Sequence, residues 1–422
     1  MRDGGLRPTS PTEGAAASDD DARNFALTLG RALHTYGYPA HRLEDALSQV
    51  CQSLGARGQF FSTPTSLFAS FGEGASQRTY HLRVEPGEVD LGKLSRLDGV
   101  RAAVARGARS AAEGAREVEG IVAAAPLYPA WLTTMCFALA SGSAARFFGG
   151  GVREIGAGGA IGLVIGALAL AAGKSPALRR VFEPVAAAVA ALLSGVAASR
   201  VPSLSPYVAT LAGLIVLIPG FSLTVAMAEL AMRHLVSGTA RLAGAAMTFL
   251  AIAFGVTAVA TLASRLLGPA PVITPLALPE WTLFVAVLVA PLAFTVLLRA
   301  EPRDAPPILV AAALAFFCAR AGAFLLGPGL GAFGGALAVA LFGNLFSRLT
   351  GRPPVVAVVP GILLLVPGSL GFRSLSSLLA QDTLSGLAAA FDMILVAVSL
   401  AMGLVFANAL LPAASLSTHP RR

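Results

Sequence analysis

Two proline–glycine pairs lie in similar apolar segments, Leu217-Ile218-Pro219-Gly220 and Leu365-Val366-Pro367-Gly368, which are 148 positions apart. Proline removes a backbone donor and glycine loosens a helix, so each pair predicts a helix break with free backbone groups. Where such a break lines a cavity within a membrane, these groups can bind a substrate. Pro360-Gly361 predicts a further break in the second copy. The alternative is that these residues simply mark the ends of membrane helices.

Two ionisable residues, Arg320 and Asp392, lie inside long apolar runs. Charged groups are costly there and usually face a partner or water. A proton-coupling role for Asp392 with Arg320 beside it is therefore one interpretation, and a structural ion pair between them is the other. Asn344 and Asn408 are candidates for substrate binding or for hydrogen bonds between helices.

The N-terminal third contains one further cluster, His41-Arg42-Leu43-Glu44-Asp45. His41 and Asp45 share one helix face at i, i+4 spacing, which is compatible with a hydrolase-like or metal site. Exposed pairs at this spacing are also ordinary features of a solvated helix, and that alternative is favoured. The cysteines are isolated, so neither a zinc site nor a disulfide framework is indicated. We expect no metal and no cofactor.

A segment ending in Ala172-Gly173-Lys174-Ser175 resembles the end of a phosphate-binding loop, but Leu168 replaces the required first glycine. Nucleotide-driven transport is therefore not supported.

The composition indicates a membrane protein. Of the 422 residues, 55% are hydrophobic and 13% are charged, with a formal net charge of +8. A soluble domain is about a quarter charged. Most of the charge precedes residue 126, and later apolar runs are long enough to span a bilayer. Basic residues flank these runs, so a membrane surface explains the positive charge better than nucleic acid does.

The first 125 residues predict a water-facing region. Residues 1–22 lack periodicity and are expected to be disordered. Residues 23–125 are expected to form a small cytoplasmic α+β domain, with helices from Asn24 and Ala40 and β-like runs at 59–62, 65–71 and 78–84. Further helices are predicted at 91–106 and 110–124.

After residue 125 the apolar runs predict ten membrane segments. They are placed near 127–148, 155–173, 181–199, 205–222, 243–266, 281–299, 306–326, 329–347, 354–370 and 387–411. They divide into one five-helix repeat at 126–270 and a second at 271–412, before a cytoplasmic tail at 413–422. A long amphipathic loop is expected at 223–242, with Glu229, Arg233, His234 and Arg241 on a solvated face against lipid headgroups. Another such loop is expected after the ninth segment.

The 148-residue shift that aligns the two proline–glycine pairs also aligns Ser237-Gly238 with Ser385-Gly386 and Gly255 with Gly403. It carries the first five segments onto the last five. Because five is an odd number, the second copy must enter the membrane from the opposite side. The fold predicted is a polytopic α-helical membrane protein with ten helices in a 5+5 inverted repeat, an architecture used by secondary transporters.

Lysine and arginine are more frequent in the loops on the side of the N terminus than in those on the opposite side. By the positive-inside rule both termini are cytoplasmic. No cleavable signal peptide is recognised at the start of the chain. The expected partners are the lipid bilayer, a small amino-acid substrate and protons, and a homo-oligomer is left open.

From about residue 23 to residue 412 the sequence resembles the threonine/serine exporter family. The resemblance is carried by Leu29-Gly30-Arg31-Ala32-Leu33, Tyr36-Gly37, His41-Arg42-Leu43-Glu44-Asp45, Thr63-Pro64-Thr65, Val89-Asp90-Leu91-Gly92-Lys93-Leu94, Ile218-Pro219-Gly220, Ser237-Gly238, Ala240-Arg241, Pro360-Gly361 and Leu365-Val366-Pro367-Gly368. It implies ten helices after a cytoplasmic domain, and efflux of threonine and serine driven by the proton motive force across a bacterial cytoplasmic (inner) membrane. Related two-subunit proteins resemble dicarboxylate (succinate) exporters.

Three functions are therefore weighed. The first is secondary export of small polar amino acids, and a dicarboxylate exporter is its alternative. The second is a membrane-anchored hydrolase or sensor that uses His41, Glu44 and Asp45, although this leaves the duplicated membrane region unexplained. The third is a passive channel.

Overall fold

A computed structural model describes residues 13–85, 87–267 and 273–413. Its tertiary contacts divide the described chain into two compact units. The first unit comprises residues 13–85, 87–88 and 93–125, and the second comprises residues 89–92 and 126–413. The expected tail at 413–422 lies, apart from residue 413, outside the described residues.

The first unit contains four helices and one sheet. These elements are α1 (Glu13–Thr35), α2 (Ala40–Ser53), β1 (Gly58–Thr63), β2 (Ser66–Phe71), β3 (Arg78–Arg83), α3 (Leu91–Ala105, whose first two residues are grouped with the second unit) and α4 (Ala111–Ala123). The strands form an antiparallel sheet in the order β1-β2-β3. Each strand lies within about one residue of its predicted position, because alternating burial and a tight turn at Pro64-Thr65 define the hairpin.

The core of this unit follows the helical periodicity of the sequence. Leu29 and Leu33 of α1 and Leu43 and Leu47 of α2 are fully buried. At the start of α4 the Ser110 side chain accepts a hydrogen bond from Glu113 N, and the Glu113 carboxylate accepts one from Ser110 N. These bonds from Ser110 lower the pKa of Glu113.

The start of the chain differs from the prediction. Helix α1 begins at Glu13, so residues 13–22 are helical rather than disordered, while residues 1–12 lie outside the described part. Ala22 is buried, and Arg23 forms an ion pair with Asp20 of the same helix. These contacts stabilise the part of the helix that precedes the apolar positions predicted from Asn24 onward.

The second unit is helical throughout its regular structure. Its helices are α5 (Ala130–Phe147), α6 (Val152–Lys174), α7 (Pro176–Arg180), α8 (Phe182–Arg200), α9 (Pro206–Gly213), α10 (Gly220–Ala231), α11 (Leu235–Leu267), α12 (Trp281–Leu297), α13 (Ala305–Leu326), α14 (Pro328–Thr350), α15 (Val355–Leu363), α16 (Gly368–Leu379) and α17 (Thr383–Leu410). Proline occupies the first position of α7, α9 and α14, where the missing N–H has no intrahelical partner to lose.

Seven helical spans in the described part of the chain are long and apolar enough to cross a membrane. They are Val152–Lys174, Phe182–Arg200, Leu235–Ala263, Pro302–Leu325, Gly329–Thr350, Val355–Leu379 and Thr383–Leu410. Gly220–Ala231 and Trp281–Leu297 are shorter apolar helices. The chain is therefore a polytopic helical membrane protein, as predicted, whereas ten crossings remain a prediction.

The prediction of two long loops, after the fourth and ninth segments, is wrong. Helix α10 and the start of α11 together fill most of the first and α16 fills most of the second, since α11 and α17 begin earlier than predicted, at Leu235 and Thr383. The error has a physical origin: each proline–glycine pair starts a new helix rather than a loop, with the proline at the N-cap and the glycine as the first residue of α10 or α16. Arg233 and Gln381, with φ of 65° and 64°, end these second helices in the left-handed conformation.

Candidate functional site

The two proline–glycine pairs have the same local structure. Each separates a short buried helix, α9 or α15, from a following helix of twelve residues, α10 or α16. Both twelve-residue helices start at the glycine, Gly220 or Gly368. The preceding prolines share one backbone conformation, φ −80° and ψ 39° at Pro219 and φ −80° and ψ 25° at Pro367. Both pairs therefore break a helix, as the sequence predicted.

The two breaks meet in the second unit. A Cβ atom placed on Gly220 would lie 3.1 Å from Gly368 N and 3.2 Å from Gly368 Cα, and would overlap Val366. A Cβ atom placed on Gly368 would lie 2.5 Å from Ile218 Cγ2 and 3.7 Å from Gly220 Cα. Only glycine allows the backbones to approach so closely. The two copies of the motif thus face each other across a small reciprocal contact.

Each break frees backbone groups. In the described residues, the carbonyl oxygens of Leu217 and Leu365 receive no hydrogen bond, and the amides of Phe221 and Ser369 donate none. All four residues are half-buried, and the two members of each pair are 148 positions apart. Unpaired backbone groups inside a membrane protein are tolerated where they line a cavity or bind a ligand.

The equivalence continues into the turn after each break. A Cβ atom on Gly238 would lie 2.7 Å from Leu230 Cγ, and one on Gly386 would lie 2.6 Å from Leu378 Cγ. The amide of Gly238 donates to His234 O at 2.9 Å, and that of Gly386 to Asp382 O at 3.0 Å. Local geometry therefore repeats at the same 148-residue interval through both turns.

A cavity of about 340 Å³ lies beside the second break, lined by Leu364 and Leu365 together with Arg320 and Phe316 of α13, Ala332 of α14 and Val396 of α17. The unpaired Leu365 carbonyl therefore belongs to a residue that lines a space with a guanidinium group. Arg320 Nη2 lies 3.4 Å from Glu280 Oε2, and both side chains are more than half exposed. An exposed ion pair of this kind is weak, so Arg320 can exchange Glu280 for another anion.

The expected pairing of Arg320 with Asp392 is not found, although the structure describes both residues. Asp392 is exposed on α17. Pro360 and Gly361 are buried inside α15, which continues through them to Leu363, so they do not form a second break. Gly361 instead packs closely against Val339 and Ala311.

Asn344 and Asn408 form the expected hydrogen bond between helices. The Asn344 side-chain amide donates to Asn408 Oδ1 at 2.9 Å and to Leu411 O at 2.8 Å, joining α14 to the end of α17. Asn344 is 1% exposed. Neither asparagine lines the cavity beside the second break, so a role for them in substrate binding stays a prediction.

The cluster around Glu229 corrects another prediction. Glu229 is 0% exposed rather than solvated. Its Oε2 accepts hydrogen bonds from Ser237 Oγ at 2.8 Å and Arg241 Nε at 3.1 Å, and its Oε1 accepts one from Arg241 Nη2 at 3.2 Å. Two parallel bonds to a carboxylate are the strong geometry for arginine. The ion pair therefore ties the end of α10 to α11.

Two further buried carboxylates were missed. Glu154, 1% exposed, accepts hydrogen bonds from Gly151 N and Ser205 N, both at 2.8 Å. Asp304, 0% exposed, accepts one from Glu301 N at 3.2 Å and pairs with Arg352. Each carboxylate caps the start of its own helix. Glu154 also holds the backbone just before α9, and Asp304 holds the segment just before α15 through Arg352. Their capping position, three residues after Gly151 or Glu301, was the available signal.

The N-terminal cluster is dispersed in the structure. Glu44 Oε1 accepts a hydrogen bond from Ser62 N at 2.7 Å and so fixes β1 to α2. Asp45 is exposed, whereas His41 and Arg42 are half-buried. Burial and nearby Asp98 raise the pKa of Tyr38, while Arg42 acts in the opposite direction. Within the described ranges, no group of three or more potential metal ligands comes together.

Two protein-family models together match most of the chain. A family model described as "Putative threonine/serine exporter" matches residues 24–263, and one described as "Threonine/Serine exporter, ThrE" matches residues 283–410. Both models describe exporter families, and the first alone matches more than half of the chain. No solved structure matches the chain significantly.

Curated relatives include the pheromone-regulated membrane protein 10 of several yeasts. The Kluyveromyces lactis protein is 28% identical over 417 residues, covering 92% of this chain and 43% of the relative. The Saccharomyces cerevisiae protein is 28% identical over 371 residues, covering 84% and 47%. The Eremothecium gossypii protein is 26% identical over 358 residues, covering 83% and 48%. The chain thus spans less than half the length of these relatives.

Proposed function

Because the chain belongs to the threonine/serine exporter family, we propose that it is a secondary exporter of threonine and serine driven by the proton motive force. The observation that carries this proposal is the reciprocal contact of Gly220 and Gly368, with unpaired backbone groups beside it. Many secondary transporters bind their substrates between discontinuous helices, whose free backbone groups contact the charged groups of the substrate.

The proposal includes ten membrane crossings in a 5+5 inverted repeat. The 148-residue shift supports it, because helix bounds, proline conformation and turn contacts agree between α10 and α16. Packing agrees as well: α9 contacts α6 and α8, and α15 contacts α13 and α14. Alternating access then corresponds to rocking of one copy against the other about the Gly220–Gly368 contact.

The proposed location is a bacterial cytoplasmic membrane, with both termini and the first unit on the cytoplasmic side. The distribution of lysine and arginine between loops supports this orientation. A cysteine-accessibility map of loops on the two sides tests it directly.

At the proposed site the substrate carboxylate binds to the amides of Phe221 and Ser369 and to the Arg320 guanidinium. The positive ends of α10 and α16 add to this attraction, since both helices start at the break. The ammonium group binds to the carbonyl oxygens of Leu217 and Leu365. Asp392 carries the coupled proton in this scheme, because an intramembrane carboxylate is the usual proton carrier.

The test is efflux of labelled threonine and serine from proteoliposomes under an imposed pH gradient. We expect gradient-dependent movement of both amino acids that a protonophore abolishes. Asp392→Asn should leave exchange at equal pH intact and remove the response to the gradient. If neither amino acid is transported, the proposal that threonine and serine are the substrates is refuted. An unchanged response to the gradient in Asp392→Asn would refute the role of Asp392 as proton carrier.

A dicarboxylate exporter is the second candidate. Arg320 and the two helix N-termini all favour an anion, and this observation supports a substrate without an ammonium group. Succinate added to the same assay separates the two candidates. Competition by serine but not succinate supports the amino-acid exporter, and the reverse result supports the dicarboxylate exporter.

A further inference from the structure

The first unit contains a cavity of about 650 Å³ that plays no part in the transport proposal. Helix α1, helix α4 and strand β3 form its walls. Ligand pockets in proteins typically have volumes of about 300–1,000 Å³, with apolar walls and a few polar groups that orient the ligand. The cavity has this size, and its walls combine both kinds of group.

Two residues of opposite charge line the cavity. Arg31 of α1 and Glu119 of α4 both line it. The two helices run in parallel, because Gly114 packs on Phe25 while Lys93 donates to both Tyr36 Oη at 3.2 Å and Val122 O at 2.8 Å. Arg31 and Glu119 lie between these two levels, one on each helix.

The charges of Arg31 and Glu119 have no ion-pair partner among the side chains that the structure describes. Among the described residues, no ion pair within 4.0 Å includes Arg31 or Glu119. Both residues are exposed. The cavity therefore offers a cation and an anion to one ligand, separated by more than ion-pair distance.

The third wall offers backbone hydrogen bonds. Strand β3 is at the edge of the sheet, and Val84 N donates to Thr65 O of the neighbouring strand at 3.0 Å. By antiparallel alternation, Leu82 and Tyr80 also face β2, whereas the amide and carbonyl of His81 point to the free edge. The His81 ring is already engaged, since it stacks on Phe68 at 4.5 Å and contacts Ser66 Oγ at 3.2 Å.

We propose that this cavity binds a short peptide with free termini. Its carboxylate pairs with Arg31, its ammonium group pairs with Glu119, and its central backbone bonds to His81 in the manner of an added strand. Leu27, Leu82 and Val122 provide the apolar contacts. A single amino acid has the same terminal charges but no internal peptide group for the edge strand, and it leaves most of the volume empty.

Tri-alanine is the probe, and the full-length protein in detergent is titrated by calorimetry. We expect tri-alanine to bind more tightly than alanine by at least about tenfold. Arg31→Gln should weaken binding of tri-alanine by about tenfold but leave binding of its C-terminal amide unchanged, because that peptide has no carboxylate. Glu119→Gln should likewise weaken the binding of tri-alanine but leave the binding of its N-acetyl derivative unchanged, because that derivative has no ammonium group.

Arg116→Gln and Glu85→Gln are the controls, since both residues are exposed and neither lines the cavity. They should bind all probes like the wild type, and thermal unfolding establishes that every variant is folded. Equal affinity for alanine and tri-alanine would overturn the peptide assignment. So would absence of binding, or an Arg31→Gln effect that persists with the amide. None of these readouts depends on transport.

Discussion

Gly220 and Gly368 lie against each other with their backbones in contact, and each is the first residue of a twelve-residue helix that follows a proline. Their positions differ by the same 148 residues that relate the surrounding motifs. A side chain on either glycine would have to displace the opposite copy. The contact therefore sets the distance between the two helix N-termini.

Replacing Gly220 or Gly368 with alanine should separate the two breaks. Overpacking at a tight contact costs about 1–3 kcal/mol, and the unpaired groups at Phe221 and Ser369 then move apart. We expect transport in proteoliposomes to fall at least about tenfold in each variant. Gly195→Ala is the control, because a Cβ atom at this helical glycine meets nothing within 4 Å. Wild-type transport by Gly220→Ala would contradict a working role for the contact.

The Asn344–Asn408 hydrogen bond should contribute modestly to stability. Hydrogen bonds between membrane helices average about 0.6 kcal/mol in double-mutant cycles, with a maximum near 1.7. We therefore expect Asn344→Ala and Asn408→Ala to lower the unfolding temperature, and the double variant to lose less than the sum. Additive losses would show that the two side chains act separately. A changed KM in either variant would instead support the predicted role in substrate binding.

The helix pattern and the breaks were predictable because each rests on local residue properties. Leu29 and Leu33, like Leu43 and Leu47, are four residues apart, which is helical spacing, and all four are buried. Pro219 and Pro367 lack a backbone donor and each is followed by glycine, so both pairs were recognisable as helix breaks from local chemistry alone. The equal spacing of the two pairs is evident in the sequence itself.

The partners of charged residues were not predictable in the same way. Glu229 follows Met227 and Ala228 at the end of an apolar helix, and whether it faces water depends on α11 folding back with Arg241. Arg320 lies 40 positions from Glu280 and 72 from Asp392, and only the packing of α12 and α13 selects the first. The cavity beside β3 likewise depends on how α1 and α4 pack.

Cys51 should be resistant to alkylation. Burial, with a smaller contribution from Asp19, raises the pKa of this thiol to about 12. At pH 8 only about one thiol in ten thousand is then ionised, and the thiolate is the reactive form. In a Cys136→Ser, Cys318→Ser background we expect slow maleimide labelling that accelerates about tenfold per pH unit, and rapid labelling after unfolding.

The raised pKa also sets the sign of the pH effect on stability. The unfolded thiol ionises near its ordinary value, whereas the folded thiol keeps its proton up to about pH 12. The contribution of this thiol to the free energy of unfolding is therefore fully present below the ordinary thiol pKa. It is lost as the pH rises from that value through the folded-state pKa. Native labelling at the rate of a free cysteine at pH 8 would contradict the burial of Cys51.

Stability should depend strongly on the Glu229–Arg241 ion pair, because Glu229 is fully buried. Removing one partner of a buried pair costs about 3–5 kcal/mol because it leaves a charge uncompensated. Arg241 is 26% exposed, so we expect the lower part of this range for Glu229→Gln, seen as a lower unfolding temperature in detergent. Arg241→Lys should lie between the wild type and Glu229→Gln, since lysine cannot form both bonds.

The second copy provides a matched control for this pair. Ser377 and Ala389 occupy the positions 148 residues after Glu229 and Arg241, so that copy is stable without an ion pair there. We therefore expect the double variant Glu229→Gln, Arg241→Met to recover at least half of the stability lost in Glu229→Gln. Ser377→Ala should change the unfolding temperature little. If the double variant is less stable than Glu229→Gln alone, Arg241 has a stabilising partner other than Glu229, and the pair is not the main connection between α10 and α11.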